Sequence, residues 1–180
     1  AQLKAQLDTH ARHFRALSAI GRALIDEIDP DQFYQRIVDA GAFVTRAERC
    51  SLALLDPVSE HLEVAATRGK SDPMNMTASP HAGAAGLKPV LEEGTSVRLQ
   101  AATGETIVLQ TGDEVEAVLQ VPLKTRVQTI GLLSVDRQDS PSPFGDHDEQ
   151  MLAILANCVV IALRIQGQTG MAASSGTSAS

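Results

Sequence analysis

The chain has 180 residues, 43% of them hydrophobic and 21% charged, with a net charge of -7. That length and apolar content fit one globular domain with a real core and exclude wholesale disorder. Fifteen basic against 22 acidic residues, with no Lys/Arg run, exclude a duplex-binding face. Aromatics at 3%, with no Trp, argue against a stacking platform for single strands.

The chain does not open on Met, which reads as a fragment of a longer protein, and no signal peptide starts it. Its longest apolar stretch, Met151–Ile165, is interrupted by Asn157 and Arg164 and is too short for a bilayer, where about 20 residues are needed. Cys50 and Cys158 form no C-x-x-C pair. Both read as buried small hydrophobes in a reduced, cytoplasmic setting.

In chain order, residues 1–28 carry a heptad through Leu3, Leu7, His10, Phe14, Leu17, Gly21, Leu24 and Ile28. The strict 3.5 repeat favours a dimerising coiled-coil seam of Leu3, Leu7, Phe14, Leu17, Leu24 and Ile28 over a plain core helix. His10 and His13 lie one turn apart but have no third ligand nearby, so no metal is expected.

Asp29, Pro30 and Gln32 give a capping box with Pro at the first helical position, and Ile28 and Phe33 a hydrophobic staple. A helix over Asp31–Arg46 follows. The period then changes to two. Cys50–Leu55 and Leu62–Ala66 read as a hairpin around Asp56–Glu60.

Residues 70–86 have no clean period and read as a long loop with a short helix. Gly86–Glu93 reads as a short helix stopped by Gly94. Ser96–Gln100, Glu105–Gln110, Val115–Leu123 and Val127–Val135 read as strands. Asp146 and Glu149 form a second capping box before a helix over Asp148–Gln166. That helix has two apolar stripes, Met151/Ile154/Cys158/Ile161/Ile165 and Leu152/Leu155/Val159/Ala162, and must be covered on two sides. Residues 167–180 are Gly-, Ala-, Ser- and Thr-rich and read as a flexible linker or tail.

This order resembles the GAF domain, a small-molecule-sensing relative of the PAS fold. The likeness is carried by Ala47–Asp56, Leu62–Gly69, Val121-Pro122-Leu123, Ile130–Asp136 and Phe144 before the last helix. It implies an α+β fold: an antiparallel sheet of five or six strands, the N- and C-terminal helices on one face, and the loop and short-helix region over the other. The implied division is a signalling or dimerisation helix at 1–28, a GAF-like sensory domain at 29–166, and a tail at 167–180.

The resemblance implies a non-catalytic regulatory input domain that binds a small molecule, dimerises, or both, to control a linked effector outside this chain in a bacterial signalling protein. A ligand-free dimerisation module is the alternative, and a GAF-type methionine sulfoxide reductase a third reading. No nucleic acid, membrane or cofactor is expected. No Cys lies between Gly69 and Gly94 to hold a bilin, and His81 in the loop reads as a turn residue rather than a haem ligand.

Nucleotide-binding members carry Asn-Lys and then Phe-x3-Asp-Glu. Here Asp136-Arg137 stands for the first pair, and Phe144, Asp148 and Glu149 complete the second. Arg137 is suited to hold the Asp148 carboxylate, while capping chemistry alone also accounts for the acidic pair. The expected ligand site lies between sheet and loop, with Arg68 for an anionic group and Asn75 and His81 beside Met74 and Met76.

Overall fold

The structure is a computed structural model. It describes residues 11–12, 14–16, 18–22, 29–59, 61–69, 87–109, 113–140 and 142–175, with side chains described as far as Gln166. Helix α1 spans Pro30–Thr45 and α2 spans Asp146–Ser175. Between them lie β1 (Arg49–Leu55), β2 (Leu62–Arg68), a π-helical turn (Pro89–Glu93), β3 (Val97–Gln100), β4 (Ile107–Val108), β5 (Glu114–Val115), β6 (Ala117–Lys124) and β7 (Thr129–Arg137). Residues 11–12, 14–16 and 18–22 are also helical.

Five strands form one antiparallel sheet in the order β2-β1-β7-β6-β3, and β4 and β5 pair separately. The α+β architecture and five-stranded antiparallel sheet agree with the sequence reading.

Both helix starts follow from local chemistry. At α1 the Asp29 carboxylate accepts from the Asp31 N–H at 3.4 Å, and Pro30 occupies the first turn, where its missing N–H costs nothing. At α2 the cap differs from the expected box. It is Asp148 whose carboxylate accepts the Gly145 N–H at 2.8 Å. Asp146 and Glu149 instead reach across to Arg98 on β3, at 2.7 and 3.1 Å. Helix α2 also runs past Gln166 to Ser175, because no Pro interrupts it and its packed first turns have already met the cost of nucleation. The π-helical turn ends on Gly94, whose positive φ of 63° lets its N–H reach the Pro89 carbonyl.

The alternation of each strand sorts side chains onto two faces. Cys50, Leu52, Leu119, Val121, Leu133 and Val135 face the helices and pack on Ile37, Val38, Leu152, Leu155 and Val159. On the opposite face Ala53, Leu62 and Leu132 pack beneath Leu87 and Val90.

Two irregularities shape the sheet. The β1–β2 register shifts between Leu52 and Ala53, leaving Ala65 as an extra residue in β2. Gly131 has φ 158°, and a Cβ there would run into the Ala53 carbonyl oxygen, so only glycine lets β7 lie this close to β1. Pro122 is tolerated within β6 because β3 pairs with β6 only over Ala117–Gln120.

Candidate ligand-binding face

Register places three cross-strand rows on the sheet face opposite the helices. One runs Val64, Ala53, Leu132, Pro122 and is apolar. The next runs Thr67, Ser51, Ser134, Gln120 and ends on Val97. The third runs Arg49, Asp136, Val118, Leu99. A polar row inside a nearly closed layer is expensive unless its groups are paired.

The charged row is paired. Arg49 is 4% exposed and its Nε donates to Asp136 Oδ1 at 2.8 Å. Its Nη1 lies 2.8 Å from Asp113 Oδ2, in the segment leading into β5. Nη1 is poorly aligned for a hydrogen bond there, so that second contact is chiefly an ion pair. Desolvation by itself would lower the guanidinium's pKa, but the two carboxylates win and hold it raised. Burial pushes the Asp136 carboxyl up, Asp113 and Glu48 add to this, and Arg49 only partly offsets it.

The Ser-Gln row is not fully paired. Gln120 is 3% exposed, and its Oε1 is buried without a hydrogen-bond partner among the described residues. An unmet buried acceptor costs about 1–3 kcal/mol. Ser134 is buried beside it and Ser51 is half-buried. The Thr67 hydroxyl reaches the Cys50 carbonyl, at 3.5 Å. Nothing marked Gln120 in the sequence except a polar residue at an inward position of an otherwise apolar strand.

The residues first singled out for the site fall elsewhere or outside the description. Asn75 and His81 lie outside the described residues. Arg68 pairs in register with Cys50, so it stands on the helix side, where its Nη1 binds Asp39 of α1 at 3.2 Å. There it borders a groove of about 380 Å³ together with Arg15, Arg36 and Phe43. That puts its guanidinium on the side of the sheet away from the expected ligand face. The cause is the β2 bulge, which leaves the last residues of β2 in register with the helix-facing positions of β1.

Arg137 also departs from expectation. It donates to the carbonyls of Ser142 at 2.6 Å, Pro143 at 3.2 Å and Thr45 at 2.7 Å, and its guanidinium stacks 4.1 Å from the Phe144 ring centre. It therefore fastens three chain segments rather than gripping the Asp148 carboxylate, which is engaged by Gly145.

Cys50 is fully buried on the helix-facing side, and desolvation drives its thiol far up. Burial raises the Cys158 thiol too. Both are thus poor sources of thiolate. Among the described residues no group of three or more His, Cys, Asp or Glu is placed to hold a metal, and no helix is long and apolar enough to cross a membrane.

On the N-terminal helical stretch, Ala16 and Ile20 enter the core, whereas Phe14 is 73% exposed and Gly21 borders open space. The other seam residues, Leu3, Leu7, Leu17, Leu24 and Ile28, lie outside the described residues. On α2, Leu152, Leu155, Val159 and Ala162 are buried, while Ile154 and Ile161 are 40% and 50% exposed.

The model of the GAF domain family matches residues 29–165. The chain belongs to the GAF family. No curated protein matches its sequence. The GAF domain of a phosphoenolpyruvate-protein phosphotransferase from Coxiella burnetii superposes with a TM-score of 0.73 at 16% identity, covering 89% of this chain and 98% of that one. A methyl-accepting chemotaxis protein, residues 122 to 287, gives 0.67 at 15% identity over 80% and 94%. A free methionine-R-sulfoxide reductase from Neisseria meningitidis, in complex with its substrate, gives 0.72 at 18% identity over 87% and 91%. At these identities the likeness is one of fold. The GAF sheet here is therefore a known scaffold with its own set of side chains on the face opposite the helices.

Proposed function

We propose that this GAF domain is a non-catalytic regulatory input module, which binds a small molecule on the sheet face opposite the helices and relays its occupancy to an effector linked to it. The observation that carries this is the nearly closed Ser51–Ser134–Gln120 row with an unmatched acceptor. A purely structural face would be filled by apolar side chains at no such cost. Similarity to a segment of a methyl-accepting chemotaxis protein and to a phosphotransferase's GAF domain supports a regulatory setting. Native mass spectrometry of protein purified from its own host tests the proposal. A retained small molecule that is lost in Gln120→Leu supports it, and a chain without adduct at native ligand levels counts against it.

A second reading is homodimerisation, favoured by the exposed Ile154 and Ile161 on α2 and by exposed Phe14. Two copies would cover these surfaces in a parallel two-fold bundle. Sedimentation of the wild type against Ile161→Lys decides it. A wild type that runs as a monomer at high micromolar concentration removes the relay through paired helices. The reductase reading has less support, because both thiols are held protonated by burial. Activity that vanishes in Cys50→Ser or Cys158→Ser would revive it.

A further inference from the structure

We propose that the groove between the N-terminal helical stretch and α1 is a second binding site, one for a small organic anion that carries an apolar body. It lies on the helix side of the sheet, so it neither needs nor excludes an occupant on the opposite face.

Two helical faces build the groove. On α1, Arg36, Asp39, Ala40 and Phe43 fall on one side at spacings of three and four. On the N-terminal stretch Arg12, Arg15, Ala16 and Ala19 repeat that spacing. Ala16 and Ile20 reach into the core and hold this stretch against the domain. The short side chains of Ala16, Ala19 and Ala40 leave the floor low, and about 380 Å³ stays open above it. That is room for a small organic molecule. Phe43, 49% exposed, adds an aromatic wall.

Charge selects the occupant. Arg15, Arg36 and Arg68 line the groove, and the Arg12 guanidinium stands 5.4 Å from the centre of the Phe43 ring. Asp39 is the one carboxylate among the described lining residues, and it is engaged. Its Oδ1 accepts from Arg68 Nη1 at 3.2 Å and from Gln35 Nε2 at 3.3 Å. Arg15 and Arg36 make no ion pair among the described residues. Arginines thus gather around a single carboxylate in a chain whose net charge is -7. Like charges held together repel, and an anion placed between them lowers that cost. A guanidinium fork also matches a carboxylate or phosphate with two parallel hydrogen bonds. Phe43 and the alanine floor suit the apolar body. An inorganic anion would leave that floor wet, and a neutral ring would leave the arginines unmatched.

Three probes, each titrated into the ¹⁵N-labelled chain, separate these contributions. Phenyl phosphate joins ring and anion, phenol keeps only the ring, and inorganic phosphate keeps only the anion. Phenyl phosphate should shift the amides of Ala19, Ala40, Phe43 and Arg68, with phenol and inorganic phosphate each at least tenfold weaker. Arg36→Gln and Arg15→Gln, both at exposed positions outside the core, should each weaken phenyl phosphate at least fivefold. The comparison among probes needs no variant, so a variant that folds poorly leaves it intact. Phenol bound as tightly as phenyl phosphate overturns the anionic class, and inorganic phosphate bound as tightly overturns the apolar body. Unchanged affinity in both variants overturns the role of the arginines. Phenyl phosphate that shifts Ser51, Gln120 and Ser134 in place of the groove amides overturns this second site and leaves the sheet-face proposal standing. If no probe perturbs the groove amides at tens of millimolar, the second site falls. Sedimentation of the same proteins covers the other occupant: self-association of the wild type that Arg36→Gln abolishes assigns the groove to a second copy of this chain and overturns the small-anion class.

Discussion

Replacing Arg49 by Met should cost far more than the loss of a surface ion pair. The side chain is 4% exposed and sits between Asp136, itself buried, and Asp113, 33% exposed. Removing the guanidinium leaves the Asp136 carboxylate in the sheet without the cation that pairs with it among the described residues. Breaking a buried pair in this way costs about 3–5 kcal/mol, several times the worth of an exposed pair. For a chain of this length each kcal/mol moves the midpoint by roughly 2–4 °C, so Arg49→Met should melt about 6–20 °C below the wild type. Adding Asp136→Asn to Arg49→Met removes the stranded charge and should recover about 2 kcal/mol. Urea denaturation followed by far-ultraviolet circular dichroism measures all four corners of the cycle. The reasoning is refuted if Arg49→Met costs under about 1 kcal/mol, or if the double variant is no more stable than Arg49→Met alone.

The raised carboxyl of Asp136 gives a pH signature. The folded chain holds that proton more tightly than the unfolded chain, so the contribution of Asp136 is fully present below about pH 4 and is lost as pH rises through its folded value. The stability difference between wild type and Asp136→Asn should therefore shift against the wild type across that window, which urea titrations at a series of pH values will show. Gly131→Ala drives a methyl into the Ala53 carbonyl and should destabilise by about 2–4 kcal/mol, visible as a lower denaturation midpoint with an unchanged slope. Arg137→Lys keeps the charge but cannot span the Ser142, Pro143 and Thr45 carbonyls together. It should cost about 1–3 kcal/mol and speed amide exchange at Gly145 and Phe144, and equal stability of the two proteins would sink the fastening role.

Where the sequence is periodic, its local physics already decides the element. Leu62 and Val64 alternate with exposed Glu63 because they face the roofed side of the sheet, up to the extra residue at Ala65, and the Leu152/Leu155/Val159/Ala162 stripe marks the buried side of α2. What could not be read was register. The extra residue at Ala65 moved Arg68 to the helix side, and no local signal announces a bulge in a run of small residues. For the same reason the sequence does not mark Gln120. Its importance depends on Ser51 and Ser134 lying across from it, a relation between strands far apart in sequence. The acidic pair before α2 was legible as capping chemistry, but the competition of Arg98 for Asp146 and Glu149 was not, since β3 comes beside α2 only in the folded chain.

The two end strands of the sheet, unpaired on their outer sides among the described residues, bear on how the chain behaves in crowded solution. A strand with free amides along one side is a template for another molecule's strand, and fibrils grow by that addition. Here one rim is β2, interrupted by Ala65 and bearing the charges of Glu63 and Arg68. The other is β3, four residues long, with Arg98 drawn onto the acidic start of α2. Neither rim offers a long, flat, uncharged edge. Deleting Ala65 to regularise β2, or neutralising Arg98, would lengthen or bare such an edge, and the cost would appear as turbidity and thioflavin-positive aggregates before any loss of folded structure.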